Sequence, residues 1–180
     1  MERKYSDGEL EKICNKVKKW YELFSNSKHF ERLTPEQKKE AEFIITSVAQ
    51  YMYSYDLLSP EEWDECSLED CCANLLPRKV TADESFFRSV APVLFAFFTF
   101  AGEEGLLKDS SALAKKVEQA HERIKRNAAN PEYWGMAKSF LMAAKNAGVD
   151  IENEQELNGF VAFLNLQRSR QPKGGCQRSW

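Results

Sequence analysis

The sequence predicts an all-α protein, an irregular bundle of seven or eight helices around a buried, phenylalanine-rich central helix. Three observations indicate this fold class. Side chains that cap helix N-termini recur along the chain, and the apolar residues between them repeat at helical spacing. No alternating run of β-branched residues flanked by turns predicts a strand. The absence of a solenoid-length repeat favours a bundle over a stacked array.

The helix-start signals place an oxygen-bearing side chain where it can accept a free backbone N–H of the first helical turn. Several add proline at the first helical position or a Glu or Gln three residues after the cap. In chain order they are Ser6-x-x-Glu9, Thr34-Pro35-x-Gln37, Ser59-Pro60-x-Glu62, Thr81-x-x-Glu84, Asp109-Ser110, Asn130-Pro131 and Asn153-x-x-Glu156. The glycines expected to end helices are Gly102, Gly105 and Gly148.

Apolar residues between these signals recur every three or four positions, which gives each predicted helix one face for the core. The stripes are Leu10, Ile13, Cys14, Val17, Trp20, Tyr21 and Phe24; Ala41, Ile44, Ile45, Val48, Met52 and Tyr55; Leu113, Val117, Ala120 and Ile124; Trp134, Ala137, Leu141 and Ala144; and Leu157, Phe160, Val161 and Leu164.

The central helix is predicted from the segment between Phe86 and Ala101, which holds six of the twelve phenylalanines and has almost no polar face. Its uninterrupted apolar run, residues 90–101, is too short to cross a bilayer and suits a core helix. Pro92 removes one backbone hydrogen bond inside the segment, so we expect a kink or a break there.

A chain of 180 residues suits one domain, which we assign to residues 1–166. Residues 167–180 carry four positive charges and no acid, which predicts a basic, flexible C-terminal tail. The sequence shows neither a signal peptide nor a membrane-spanning run, so we expect a cytoplasmic protein without a membrane partner. The five cysteines, an odd number with a vicinal pair, suit reduced thiols in that compartment.

Catalytic and metal-binding motifs are weak in this sequence. Neither a Gly-x-Ser-x-Gly turn nor a phosphate-binding loop is present. Glu118-x-x-His121 matches one arm of a di-iron carboxylate site, but the other histidine, His29, is predicted in a loop and has no Glu three residues before it. Cys66-x4-Cys71-Cys72 lacks the second matched pair of a zinc site. We therefore predict no catalytic residue, no metal and no cofactor, and an enzyme is the minority hypothesis.

A net charge of −3 argues against a dominant attraction to nucleic acid, but a local basic patch is predicted. Cations cluster on one predicted helix, diluted by Glu118 and Glu122, and with the tail they can form a stripe that meets phosphate. These candidate nucleic-acid contacts are Lys115, Lys116, Arg123, Lys125 and Arg126.

The candidate protein contacts are Arg78, Lys79, Tyr133 and Trp134. Arg78 and Lys79 precede the central helix, whose N-terminus also favours anions, so an acidic partner or phosphate can dock there. The alternative is that both pair with the acids between Glu61 and Asp70. Tyr133 and Trp134 can anchor an interface, and their alternative role is packing.

Three segments together resemble a helical region of bacterial proteins that carry a SEC-C motif. They are Leu76-Pro77-Arg78-Lys79-Val80 with the Phe-rich helix, Tyr133-Trp134-Gly135-Met136-Ala137-Lys138, and Ala147-Gly148-Val149-Asp150 leading to Phe160. The resemblance covers residues 59–166 and implies a bacterial origin and an accessory helical module. The short zinc-binding SEC-C motif itself is absent, because the corresponding end offers only Gly174-Gly175-Cys176.

These observations favour a non-enzymatic cytoplasmic helical module that binds another protein as an adaptor or regulator. A nucleic-acid-associated factor that uses the basic helix and tail is the alternative hypothesis. A metal-dependent enzyme built on Glu118 and His121 is the third hypothesis. Self-association into a homo-oligomer is compatible with all three.

Overall fold

The computed structural model describes residues 4–170, and its side chains from residue 4 to residue 167. The helices are α1 (Asp7–Ser25), α2 (Lys28–Glu31), α3 (Pro35–Asp56), α4 (Glu65–Asp70), α5 (Leu76–Lys79), α6 (Glu84–Glu103), α7 (Ser110–Ala129), α8 (Met136–Asn146) and α9 (Glu154–Arg170). A π turn, Cys71–Leu75, joins α4 to α5 without a break, and 3-10 turns occupy Pro60–Glu62 and Pro131–Tyr133. With α4 and α5 counted as one helix, residues 4–170 hold eight helices and no strand, which confirms the predicted all-α bundle.

Contacts within the chain separate two compact units, which meet in sequence between Gly135 and Met136. The first unit contains α1 to α7. The second contains α8 and α9, whose Phe140 and Phe160 rings lie 5.7 Å apart between centroids. The single domain over residues 1–166 stays a prediction. Helix α9 includes residues 167–170 of the predicted tail, and residues 171–180 lie outside the described part of the chain.

Helix α6 forms the centre of the first unit, where it packs against α3 and α7 and also contacts α1 and α2. Five of its six phenylalanines are buried, namely Phe86, Phe87, Phe97, Phe98 and Phe100. Burying one such side chain contributes roughly 1.5–3 kcal/mol, so this helix supplies a large share of the driving force for folding. The prediction of a buried Phe-rich central helix is confirmed.

Aromatic rings join the surrounding helices to α6. Phe24 of α1 is fully buried and meets Phe97 and Phe100, each with 5.5 Å between ring centroids. The ring of Trp63 also contacts α6, with its centroid 6.1 Å from that of Phe98. By length and composition α6 is long and apolar enough to cross a membrane, but 61% of its apolar window is buried inside the fold. Most of its apolar surface therefore packs against the other helices of the first unit.

The ends of the helices follow most of the predicted caps, but several predictions are wrong. Asn130 and Pro131 begin only the 3-10 turn, and α8 begins at Met136, so Trp134 lies outside the helix predicted for it. Gly102 does not end α6, which continues to Glu103. The Thr34 capping box is present, with its side chain accepting from Gln37 N and its own N–H donating to Gln37 Oε1. Helix α6, however, begins at Glu84 with Asp83 as its N-cap, rather than at Thr81. His29 lies in the short helix α2 and not in a loop, because Ser27 caps that helix by accepting from Phe30 N.

Candidate functional site

The structure brings three of the four predicted protein contacts together in one cleft. This cleft has a volume of about 440 Å³ and lies within the first unit. We name it the tryptophan cleft, and its lining residues are Asn74, Arg78, Glu132, Tyr133 and Trp134. The fourth predicted contact, Lys79, lies outside it, with its Nζ atom 5.6 Å from the centroid of the Tyr55 ring.

One wall of the tryptophan cleft is the turn that follows α7. Asn130 ends α7 and accepts from Glu132 N at 3.1 Å, while Pro131 begins the 3-10 turn. The indole Nε1 of Trp134 donates to the carbonyl of Ala128 at 2.8 Å, which satisfies one of the free carbonyls at the end of α7. Trp134 therefore has a structural role, whereas Tyr133 is 46% exposed and free to meet a partner.

The opposite wall is held against this turn by a backbone hydrogen bond. Gly135 N donates to the carbonyl of Arg78 at 3.0 Å. A Cβ atom at position 135 would lie 3.1 Å from that carbonyl oxygen, so the glycine permits the close approach. This hydrogen bond joins two segments that are far apart in the sequence. It brings Arg78 and Tyr133 into the same cleft.

The floor of the tryptophan cleft is the π turn, whose geometry follows from Pro77. In a regular helix the carbonyl of Ala73 would accept from the N–H four residues on, which proline lacks. The buried amide of Asn127 on α7 donates to this carbonyl instead, with Nδ2 at 2.7 Å from the oxygen. Asn127 also reaches Asn74 Oδ1 at 3.4 Å. No sequence pattern marks either asparagine, because this pairing exists only once α7 packs on the π turn.

Arg78 and Lys79 are not among the ion-pair partners of the acids between Glu61 and Asp70 in the described part of the chain, so the alternative raised from the sequence does not hold there. Those acids meet other cations, since Lys16 pairs with Glu61. Glu132 lines the same cleft as Arg78, but the carboxylate and the guanidinium do not form an ion pair with each other.

The predicted nucleic-acid stripe on α7 is largely neutralised. Arg123 and Lys116 both contact Glu69 of α4, at 3.0 Å and 3.4 Å, and Lys125 pairs with Glu122 at 2.8 Å. The hydrogen bond from Lys125 lowers the pKa of Glu122, which keeps that carboxylate charged. Lys115 and Arg126 remain exposed and without an ion pair among the described residues. Three of the five cations thus have an acidic partner within the fold, and their role as nucleic-acid contacts stays a prediction.

A second cleft of the first unit brings Glu118 and His121 together with His29. His29 Nε2 lies 2.9 Å from Glu103 Oε2, and this hydrogen bond, followed by one from Lys28, lowers the pKa of Glu103. We name this site, which has a volume of about 480 Å³, the histidine cleft. Within the described residues no group of three or more His, Cys, Asp or Glu side chains is arranged to hold a metal ion.

The vicinal cysteines lie in the π turn and are buried. The thiol of Cys72 forms a hydrogen bond with that of Cys71, and this bond together with burial raises the pKa of Cys71 well above its ordinary value. Cys71 is therefore a protonated thiol at neutral pH and packs as a small apolar side chain. The fifth cysteine, Cys176, lies outside the described residues.

No protein-family model, curated protein or solved structure matches this chain. The site must therefore be interpreted from its own residues. The resemblance to the helical region of SEC-C motif proteins stays a prediction.

Proposed function

We propose that this chain is a non-enzymatic, cytoplasmic protein-interaction module whose tryptophan cleft binds an acidic segment of another protein. One observation carries the proposal: the Gly135–Arg78 hydrogen bond places an arginine that has no ion pair with any residue of the described part of the chain beside an exposed tyrosine. Tyrosine, tryptophan and arginine are the residue types that most often dominate the energy of protein interfaces. A carboxylate of the partner would meet the guanidinium, and its neighbouring side chain would pack on Tyr133.

The floor of the cleft supports this role because it is rigid. Asn127 and Asn74 hold the π turn against α7, and Arg123 contributes a hydrogen bond to Asn74 Oδ1 at 3.4 Å. A preformed site loses less conformational entropy on binding than a flexible loop does. Glu132 also lines the cleft, and its negative charge repels partners that would place a phosphate or several carboxylates there.

The test is a peptide-display selection against the wild-type protein, followed by affinity measurements on the enriched peptides. We expect peptides with an Asp or Glu beside an apolar residue. Replacing Arg78 by Ala should weaken their binding at least about tenfold, because a charge-assisted hydrogen bond contributes roughly 1.5–3 kcal/mol. Arg126→Ala is the matched control, since Arg126 is an exposed arginine outside the cleft. Tyr133→Phe should retain most of the affinity and Tyr133→Ala should not.

The same variants separate this proposal from the nucleic-acid hypothesis. Single-stranded RNA at low salt is the probe, read by fluorescence anisotropy. Saturable RNA binding that Arg126→Ala weakens and Arg78→Ala leaves unchanged would favour the basic face of α7. Enriched peptides that bind the Arg78→Ala variant as tightly as the wild type would refute the tryptophan cleft as the contact site.

A further inference from the structure

The histidine cleft is a second site with a different chemistry, and nothing in the proposed protein interaction uses it. It opens between the turn from α2 to α3, the middle of α6 and one face of α7. Its volume of about 480 Å³ falls in the range of about 300–1,000 Å³ that small-molecule sites occupy. All of its lining residues belong to the first unit.

The wall on α6 is apolar. It is built by Ala91, Pro92, Phe95 and Ala96, with Leu33 opposite. Phe95 is 40% exposed, whereas the other phenylalanines of α6 are buried. Small alanines beside a proline leave space next to this ring, so the cleft can receive the apolar body of a ligand.

The polar groups at the cleft are mostly hydrogen-bond donors. Arg32 is exposed and forms no ion pair with any described residue. Gln37 already uses its Oε1 atom to accept from Thr34 N at 3.0 Å, so its amide NH₂ is the part left for a ligand. Two donors of this kind, one of them charged, favour an anionic group over a cationic one.

His121 contributes a third donor. Its Nδ1 atom is inaccessible to solvent and has no hydrogen-bond partner among the described residues. Nδ1 is therefore unsatisfied in either tautomer, as a donor when it carries the proton and as an acceptor when it does not. One of the two tautomers carries the proton on Nε2. In that tautomer Nε2 can donate to a ligand. The other histidine, His29, already uses Nε2 in its contact with Glu103.

We propose that the histidine cleft binds a small carboxylic acid with an apolar body, whose carboxylate meets Arg32, Gln37 and His121. The acid at the cleft, Glu118, is exposed and weakens rather than abolishes this attraction. A ligand of this class would give the module a small-molecule input separate from its tryptophan cleft.

The test uses three compounds that share a phenyl ring and a four-carbon chain: 4-phenylbutyrate, 4-phenylbutan-1-ol and 4-phenylbutylamine. Each is titrated into ¹⁵N-labelled full-length protein, and amide shifts are followed by NMR. We expect saturable shifts confined to residues 29–37, 91–96 and 118–121. The carboxylate should bind at least about tenfold more tightly than the alcohol, because only the carboxylate forms charge-assisted hydrogen bonds.

Two variants test the assigned contacts in opposite directions. Arg32→Gln should weaken 4-phenylbutyrate at least about tenfold and leave the alcohol unchanged. Glu118→Gln should tighten 4-phenylbutyrate about two- to fivefold, a gain that an unfolded variant cannot produce. Arg88→Gln is the matched control, since Arg88 lies on α6 outside the cleft and pairs only with Glu84 among the described residues.

Three results would overturn the proposal. One is a Kd for 4-phenylbutyrate above about 1 mM at these amides. Another is equal affinity for the carboxylate and the alcohol or amine. The third is unchanged carboxylate affinity in Arg32→Gln. None of these results bears on Arg78 or Tyr133, so the proposed protein interaction stands or falls independently.

Discussion

Asn127 provides the sharpest test of how this fold is held together. Its side chain is only 3% exposed, and its Nδ2 atom lies 2.7 Å from the carbonyl oxygen of Ala73. Replacing Asn127 by Ala removes this hydrogen bond from the buried Ala73 carbonyl, and Pro77 has no N–H that could replace it. An unsatisfied buried group costs about 1–3 kcal/mol, so we expect the free energy of unfolding to fall by about 2 kcal/mol.

Pro77 allows the loss of the Asn127–Ala73 hydrogen bond to be distinguished from a general loss of packing. In a Pro77→Ala background, residue 77 regains an N–H that can donate to Ala73. The cost of Asn127→Ala should then shrink by about 1 kcal/mol, which is the coupling energy of a double-mutant cycle. Urea unfolding followed by far-ultraviolet circular dichroism and tryptophan fluorescence measures all four proteins.

Asn26→Ala is the matched control, because Asn26 Nδ2 also donates to a backbone carbonyl, that of Glu22 at 2.8 Å, but at the exposed end of α1. We expect it to change the free energy of unfolding by less than about 0.5 kcal/mol. An Asn127→Ala cost no larger than that of Asn26→Ala would refute the role of Asn127. Equal costs in the proline and alanine backgrounds would refute its link to Pro77.

Three further predictions concern helix ends and glycines. Asp64 accepts from Cys66 N and Ser67 N, both at 2.9 Å, so Asp64→Ala should cost about 1 kcal/mol in urea unfolding, while Ser6→Ala, a cap without a side-chain bond, should cost far less. Hydrogen bonding from Ser67 lowers the Asp64 pKa, so this contribution should be complete above the ordinary Asp pKa and disappear as the pH falls through the lowered value; a pH-independent difference would contradict it. Gly102→Ala would place a Cβ atom 3.1 Å from the Cβ of Ser110, and closer still to its hydroxyl, so thermal melts should show a loss of about 1–3 kcal/mol that Ser110→Ala partly restores. Gly8 lies in α1, and a Cβ atom at this position would make only an ordinary van der Waals contact. Gly8→Ala should therefore raise the free energy of unfolding by about 0.5–1 kcal/mol, and a loss of stability would contradict this.

The helices themselves were predictable because their signals are local. Apolar spacing placed Ile13, Val17 and Phe24 on the buried face of α1, and the structure buries all three. Caps were less predictable where two candidates lie close together. Thr81 and Asp83 both suit the N-cap of α6, and the choice of Asp83 depends on where the chain leaves α5. At Pro92 the sequence predicts either a kink or a break, and in the structure α6 is continuous through this residue.

The candidate sites were predictable only in part. Arg78, Tyr133 and Trp134 were identified by residue type, but nothing in the sequence indicated that they line one cleft. His29 and His121 share no motif in the sequence, yet they line the same pocket. Two of the basic residues of α7, Lys116 and Arg123, share Glu69 as a partner, which the sequence did not indicate. In each case the partner lies at least 47 residues away in the chain, so no local sequence pattern can identify it.

By itself, the sequence determined that this protein is all-α, that its core is the Phe-rich helix, and that no recognisable catalytic motif is present. Those features depend on hydrophobic periodicity and on caps, which act within a few residues. Only the tertiary structure decided which polar groups share a cleft and which cations are neutralised. Such pairings depend on how helices cross, because side chains far apart in sequence acquire partners only when their helices pack.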